Sequence, residues 1–297
     1  MRLNWVPNAS VSALHSGEMC AKFATQLTDP SLMESLGSYA ASIEQLLQPK
    51  LADTRSFWYR LIATAAEIGP NFELAQTALL KCGVFANASV VNTLAGHITD
   101  IEAAFNQLFP KHDEQVLLRV RPLQDHWLGY GQGLMAHLGR LTDKSLIPEE
   151  VRVIPVQPVI GGYGWAHIET NMVRIEAMLT NPMVEIPEVV RLGWLASQVQ
   201  LELPRFSELL GATQLHKVAP FAMLPPVLAA AQVVELSACT EENVALAIGN
   251  WHIPVPQGWD LQERLVPTLL DWWETYLTTR PEWHIAMQAL GKMLAAD

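Results

Sequence analysis

The stretch VRVIPVQPVIGGYGWAHIETNMVRIEAML, Val151–Leu179, decides the fold of this 297-residue chain. Its β-branched start alternates as a half-buried strand does, and we predict a strand over 150–156. Three glycines then follow within four positions, at Gly161, Gly162 and Gly164. Such a cluster is typical of a loop that holds a phosphate, of active-site scaffold, or of a tight turn.

The residues after the glycines alternate twice, with opposite parity. Ala166 and Ile168 are the apolar members of the first alternation, whereas Val173 and Ile175 are those of the second. A strand cannot change its buried face without a turn or a bulge. We therefore predict two short strands, separated by a turn at 169–171.

The glycines do not match a nucleotide-binding loop. In a dinucleotide fingerprint that starts at Gly162, the third glycine position is occupied by His167, and no Gly-Lys-Ser/Thr follows. A strand is predicted next, so no helix N-terminus is available for a phosphate. We interpret the glycines as a bend that delivers Trp165, His167 and Glu169 onto a strand.

The rest of the chain has helical periodicity, with ends at glycine or proline. We predict an α+β protein, predominantly α-helical, with a small β-sheet near residues 150–179. Residues 1–297 form one compact domain, with a helical part over 1–110 and the sheet and C-terminal helices over 111–297. The predicted helices span 31–48, 54–68, 72–82, 89–109, 122–141, 187–200, 227–236, 240–249, 261–278 and 281–294, and the region before residue 31 is predicted to be helical from residue 17.

Composition narrows the function classes. The formal net charge of −11 argues against nucleic acid and anionic membranes as partners. The three cysteines are far apart and form no CxxC pair, which favours reduced thiols in a cytoplasmic protein. The first residues lack the apolar core of a secretory signal, and the apolar run 219–234 is broken by prolines. We expect no cofactor.

The order of elements resembles the core of zincin metallopeptidases over roughly residues 120–205. A glycine-containing helix, a strand, a glycine-rich approach to an edge strand, another strand and a helix that opens with Pro187-Glu188 follow one another. In zincins this last helix carries the HExxH zinc motif. The corresponding positions here, to within one residue, are Leu192, Gly193 and Ala196, and none of these binds zinc or moves a proton.

The resemblance implies a non-catalytic, zincin-like scaffold or pseudoenzyme. Zincins hold an extended peptide by strand addition at the edge strand, so a peptide or protein segment is the expected partner. We predict that the site is lined by Trp165, His167, Glu169, Arg191 and Gln198. Glu188 and Arg191 are spaced for an ion pair on one helical stripe with Gln198. That stripe is either a polar row inside a cleft or the solvent edge of a buried helix.

Two alternatives remain open. The first is an enzyme of another class that uses His167, Glu169 and Arg191 in a cleft, although no motif identifies catalytic residues. No HExxH and no histidine pair at i,i+4 exists, so no metal is expected. The second is a helical interaction module with an aromatic C-terminal surface. The main expectation for the C-terminal aromatic residues is that they pack a helix–helix core, and the alternative is that they form this surface. The residues concerned are Trp272, Trp273, Tyr276 and Trp283.

Overall fold

The computed structural model describes residues 1–295, apart from the side chains at positions 212 and 213. The chain is mostly helical and has one small mixed sheet, as predicted. Its strands are β1 (Arg2–Trp5), β2 (Glu150–Val156), β3 (Gly164–His167) and β4 (Met172–Glu176). The strand predicted over 150–156 and the two short strands after the glycines are confirmed.

The turn between the two short strands is also confirmed. Ile168–Thr170 form a single 3₁₀ turn, and Asn171 has a φ of 47°, in the left-handed region. Asparagine tolerates that conformation better than most residues. Glu169 therefore lies in the turn, and the prediction that the glycines deliver it onto a strand together with Trp165 and His167 is wrong.

The sheet has the order β1-β2-β4-β3. β1 and β4 both run parallel to β2, whereas β3 runs antiparallel to β4 and forms an edge. In the outer pair, Trp165 lies opposite Arg174 and His167 lies opposite Met172. The short hairpin between β3 and β4 explains their antiparallel pairing, since parallel neighbours need a longer crossover.

The helices surround this sheet, and most lie where the periodicity predicts them. The helix expected from Pro122 starts earlier, at His112, and Pro122 lies inside it. The N-terminal region also differs, because a strand comes first and its helix begins at Ala9. The helices are α1 (Ala9–Lys22), α2 (Pro30–Leu47), α3 (Arg55–Ala65), α4 (Asn71–Lys81), α5 (Ala88–Leu108), α6 (His112–His126), α7 (Gln132–Leu141), α8 (Glu188–Gln198), α9 (Pro204–Ser207), α10 (Gly211–Ala222), α11 (Leu224–Val233), α12 (Glu241–Asn250), α13 (Val266–Thr279) and α14 (Trp283–Ala295).

The sheet separates two hydrophobic cores. Ile154 and Met172 belong to the core built by α1 to α5. Their chain neighbours Val153 and Val173 belong to the core built by α6 to α8 and the C-terminal helices. Successive side chains of a strand point to opposite faces, so both faces of the sheet are covered. None of the helices in the described part of the chain is long and apolar enough to cross a membrane.

One helix on each face is buried along most of its length. Every residue of α8 is buried, including Glu188, Arg191 and Gln198. The polar stripe of α8 is thus inside the protein, and the interpretation as a solvent edge is wrong. On the opposite face, the ten residues Val11–Cys20 of α1 are all buried. Polar side chains on both helices must therefore find partners within the fold.

Gly193 is a point of close contact between α8 and α7. A Cβ atom at this position would lie 2.7 Å from Cδ2 of Leu134, which is fully buried. Gly96, inside α5, is exposed and has no atom within 4 Å of the same position. Both glycines lie inside helices and differ in the space available for a side chain, so alanine substitutions at the two positions can be compared directly.

We expect Gly193→Ala to lower the free energy of unfolding by about 1–2 kcal/mol, because overpacking outweighs the gain in helix propensity. Gly96→Ala should raise it by up to about 1 kcal/mol. Urea unfolding of the two variants and the wild type measures both effects. Stabilisation by both substitutions would show that α7 and α8 are not tightly packed at Gly193.

Candidate functional site

The glycine loop binds an anion, and the anion is the chain's own Glu176. Five consecutive backbone N–H groups donate to its two carboxylate oxygens. Those of Val159 and Ile160 reach Oε1 at 2.8 and 3.1 Å, and those of Gly161, Gly162 and Tyr163 reach Oε2 at 2.8, 2.8 and 3.2 Å. We call residues 159–163 the amide nest. Concave runs of backbone N–H groups are favourable sites for negative charge.

Two glycines give the amide nest its shape. Gly161 and Gly162 have φ values of 82° and 120°, which other residues rarely adopt. A Cβ atom at Gly162 would also lie 3.1 Å from the carbonyl oxygen of Asn250. The nest therefore needs glycine both for backbone conformation and for space.

A chain of buried polar contacts extends from the nest to α1. Nε2 of His15 lies 3.2 Å from Oε1 of Glu176, and Nδ1 of His15 lies 3.4 Å from Nη1 of Arg174. Because the guanidinium can only donate, His15 accepts at Nδ1 and donates from Nε2. Nη2 of Arg174 lies 2.5 Å from Oε2 of Glu18, in an ion pair rather than an aligned hydrogen bond. His15 thus links a buried cation to a buried anion.

The charge states follow from these contacts. Burial alone would raise the pKa of Glu176, but the hydrogen bonds from His15 and from the amide nest outweigh it and hold the pKa at about 2. Burial lowers the pKa of His15, and the charge of Arg174 lowers it further against the opposing effect of Glu176. At neutral pH the carboxylate is ionised and the imidazole is neutral.

A second buried ion pair lies on the other face of the sheet. Nη2 of Arg191 donates to Oε2 of Glu188, as their spacing predicts. The same nitrogen lies 3.4 Å from the backbone oxygen of Glu176, whereas Nε and Nη1 of Arg191 have no hydrogen-bond partner in the described structure. Arg191 therefore contacts the C-terminal end of β4 from the face of the sheet that α8 covers.

The outer edge of β3 has unpaired backbone groups. The backbone N–H of Glu176 donates to the carbonyl oxygen of Tyr163. The backbone N–H and C=O groups of every second residue from Tyr163 onward therefore point toward β4. Gly164 and Ala166 lie between these residues and direct their N–H and C=O groups outward. The N–H of Ile168, which follows the same alternation, points away from β4 and reaches the Tyr59 hydroxyl at 2.9 Å. No hydrogen bond involves the outward groups of Gly164 and Ala166 within residues 1–295.

These groups face a narrow space that we call the edge crevice. It holds about 10 Å³, roughly the room that one water molecule requires. One wall is the segment Gly164–Ala166, and another is α8 through Trp194, Leu195 and Gln198. The segment Trp251–Pro254, which we call the strap, closes it together with Pro220.

Two of the five predicted site residues meet at this crevice. Trp165 is half-buried there and stacks on Tyr163, with ring centroids 6.1 Å apart. Gln198 lines the same space, while its Nε2 donates to the backbone oxygen of Trp194 at 3.1 Å. Arg191 is buried in its ion pair with Glu188 and does not line the crevice.

The other two predicted residues, His167 and Glu169, lie around Tyr59, whose ring also meets that of Trp165 at 6.4 Å. The ring of His167 is fully buried and stacks on Tyr59 at a centroid distance of 4.8 Å. Glu169 is exposed, and its carboxylate lies 3.5 Å from the guanidinium of Arg60. The ring of His216 meets Tyr59 edge-on at 5.0 Å. The structure thus brings His167 and Glu169 into one neighbourhood and leaves Arg191 outside it.

His167 differs from His15 in its hydrogen bonding. Burial, and then the charge of Arg174, hold the pKa of His167 well below its ordinary value. Both of its ring nitrogens are buried, and neither has a partner among the described residues. A neutral imidazole buried without partners sacrifices two hydrogen bonds to water.

Leu192, Gly193 and Ala196, the residues compared above with the zincin motif, lie in the packed interior. Leu192 and Ala196 are fully buried in the core beneath the sheet, and Gly193 has no room for a side chain beside Leu134. No group of three or more His, Cys, Asp or Glu side chains in residues 1–295 is arranged to hold a metal ion.

The aromatic C-terminal cluster is internal. Trp272, Trp273, Tyr276 and Trp283 are all buried. Nε1 of Trp272 donates to the backbone oxygen of Ala286 at 2.9 Å, which ties α13 to α14. These rings form the helix–helix core and leave no exposed aromatic surface of the expected kind.

Several residues of the site were not predicted. His15 and Glu18 lie before or near the expected start of the first helix, and Arg174 and Glu176 stand on a strand face that is polar in sequence. Opposite charges two positions apart on a short strand are a weak signal of a buried pairing, because a solvent-facing strand has the same pattern.

Comparison of the chain with protein-family models, with curated proteins and with solved structures finds no match. The site has therefore to be interpreted from its own geometry.

We expect Glu176→Gln to remove a pH-dependent part of the stability. The folded-state pKa is below the ordinary value, so this stabilisation is complete above about pH 4.5 and is lost as the pH falls toward 2. Its size is about 3 kcal/mol. Urea unfolding between pH 7 and 3 should show a smaller pH dependence for Glu176→Gln than for the wild type. The exposed Glu34→Gln is the control, and equal pH dependence in all three proteins would contradict the role of the amide nest.

We expect the two buried histidines to respond differently to phenylalanine. His15→Phe removes the imidazole contacts to both Arg174 and Glu176, two buried charged groups, at a cost of about 2–4 kcal/mol in unfolding free energy. His167→Phe removes two unpaired nitrogens and keeps the ring on Tyr59, so its effect should stay within about 1 kcal/mol. Chemical denaturation at pH 7 measures both. A large loss from His167→Phe would mean that its nitrogens do have a partner.

Proposed function

We propose that this protein is a non-catalytic scaffold that binds an extended segment of a peptide or protein along β3. The observation that carries the proposal is the pair of outward-facing residues, Gly164 and Ala166. Their backbone groups lie in the edge crevice without hydrogen bonds. Unpaired backbone groups at a strand edge are a template for another strand. An added strand would satisfy groups that burial otherwise penalises.

The chemistry of the crevice favours binding over catalysis. Its side chains are mainly apolar or aromatic, from Trp194, Leu195, Trp251 and Ile253. The polar side chains of the lining are Gln198, which contributes an amide rather than an acid, a base or a nucleophile, and His252 of the strap, whose pKa is lowered by burial. Such a surface suits apolar side chains of a bound segment, with specificity set by shape.

The zincin-like order of elements supports the same proposal. In that family the edge strand and the helix behind it hold an extended substrate. Here β3 and α8 both line the crevice, and Leu195 of α8 packs against Gly164 of β3. A pseudoenzyme of this kind would retain the peptide-binding edge while Leu192, Gly193 and Ala196 replace the zinc chemistry.

The second candidate is an enzyme of another class, centred on His167 and Glu169. The observation that favours it is the buried imidazole of His167 with two unpaired nitrogens, close to Tyr59 and His216. In this arrangement Arg60, which pairs with Glu169, would take the role first considered for Arg191. Full burial of His167 leaves it without a path to a substrate, so we place this candidate second.

The proposal is tested with peptides selected from a random dodecapeptide display library on the immobilised protein. Titration of a selected peptide should protect the amides of Gly164 and Ala166 from hydrogen exchange, as observed by NMR. The amide of Trp165, which faces β4, is the internal control and should not change. Binding that leaves the Gly164 and Ala166 amides unprotected would refute strand addition at β3.

A pair of proline variants sharpens this test. Ala166→Pro removes an outward N–H donor at the β3 edge, and Leu3→Pro removes one at the β1 edge, where Arg2 and Val6 bond to the β2 side. Proline is tolerated at sheet edges when its missing donor faces outward. We expect Ala166→Pro to weaken peptide binding at least about tenfold, the loss of one or more hydrogen bonds, and Leu3→Pro to leave it unchanged.

A further inference from the structure

We infer that the strap, Trp251–Pro254, is an intramolecular cover of the edge crevice, and that the partner which displaces it is an extended apolar segment with free backbone N–H groups. This inference rests on the proposed function, since it names the regulation and the ligand class of the same site. It is independent of the residues around Tyr59.

The strap is seated firmly against the site. Trp251 is buried and packs on Trp194 of α8, with ring centroids 5.1 Å apart. Asn250, immediately before the strap, places its carbonyl oxygen where a side chain at Gly162 would otherwise lie. The remaining space of about 10 Å³ is too small for a peptide strand, which needs about 4.8 Å between backbones. A peptide therefore enters only when the strap moves.

The strap covers β3 without pairing with it. The N–H groups of Trp251, His252 and Ile253 all turn back to α12, to the carbonyl oxygens of Ala247, Gly249 and Ile248 at 2.9, 3.3 and 3.0 Å. Pro254 has no N–H to donate. The indole N–H of Trp251 is buried without a partner in the described structure. An incoming strand would thus satisfy groups that the strap leaves unpaired.

The absence of backbone hydrogen bonds between the strap and β3 indicates which kind of segment can displace the strap. The strap supplies apolar side chains that fit the crevice but no backbone hydrogen bonds to Gly164 or Ala166. A displacing segment needs similar apolar side chains and, in addition, N–H and C=O groups directed at β3. Prolines at the pairing positions would make it as poor a partner as the strap itself.

The strap is also held in an uncommon backbone conformation. His252 has a φ of 55°, in the left-handed region. A β-branched residue is strongly disfavoured there, whereas asparagine is among the residues that adopt it most readily. We therefore expect His252→Val to destabilise the closed conformation of the strap and His252→Asn to preserve it.

The probe is an acetylated and amidated hexapeptide WHIAVA, which is the sequence of residues 251–256 with alanine in place of both prolines. We expect it to bind His252→Val about tenfold more tightly than the wild type, because the closed strap is destabilised. His252→Asn is the matched control and should bind as the wild type does. The peptide WHIPVP, which lacks two N–H donors, should bind more weakly than WHIAVA to every variant.

Affinities come from isothermal titration, and the site from hydrogen exchange of the Gly164 and Ala166 amides. Should His252→Val fail to fold, Ile253→Ala removes a buried strap side chain and gives the same comparison. Equal affinity of WHIAVA for wild type and strap variants, with both amides protected, would overturn the strap as a cover while the proposed function stands. Unprotected amides in every variant would instead overturn the proposed function.

Discussion

The ionised carboxylate of Glu176 in the amide nest is the interaction on which the rest of the structure depends. It receives five backbone N–H groups and the imidazole of His15. A loop with two glycines at positive φ has no regular structure of its own to hold it. Neutral hydrogen bonds would stabilise it less than these charge-assisted ones do. The carboxylate therefore fixes the path from β2 to β3, and with it the position of the sheet edge.

The same carboxylate explains why a polar strand face is buried. Met172, Arg174 and Glu176 point toward α1 to α5, and the two charged members find partners on α1 in Glu18 and His15. Breaking a buried charge pair is more costly than forming it is favourable, so the pairing disfavours arrangements of α1 and the sheet that separate its members. It fixes α1 against the sheet in one register. The N-terminal helices and the sheet are thereby joined by polar contacts as well as by apolar packing.

The edge of β3 follows from this arrangement. The nest delivers the chain onto β3 with Gly164 and Ala166 facing away from β4, and α8 lies beneath because Gly164 admits Leu195 closely. A methyl group at Gly164 would come within 2.6 Å of Leu195 and 3.2 Å of the Arg174 carbonyl oxygen. The glycine that allows this packing is also one of the two residues with unpaired outward backbone. Gly164 is thus needed for the packing of α8 and is also part of the proposed binding site.

The sequence by itself determined most of the element types and the turn between β3 and β4, although not β1, α9 or α10. Alternation predicted β2, β3 and β4, the parity change located the turn at Asn171, and glycine and proline bounded most helices, because these signals are local. It did not reveal that Glu176 fills the glycine loop, since residues 159–163 and Glu176 meet only after β3 and β4 pair. The sequence also did not show that Arg191 lies apart from His167, or that Trp165 and Gln198 line one crevice. Strand alternation and helical periodicity define the faces of each element, but they do not determine how the elements are placed relative to one another. Only the tertiary structure decided that the polar faces of β4 and α8 are buried, because the same pattern of charges describes a solvated surface or an internal ion pair until another element packs against it.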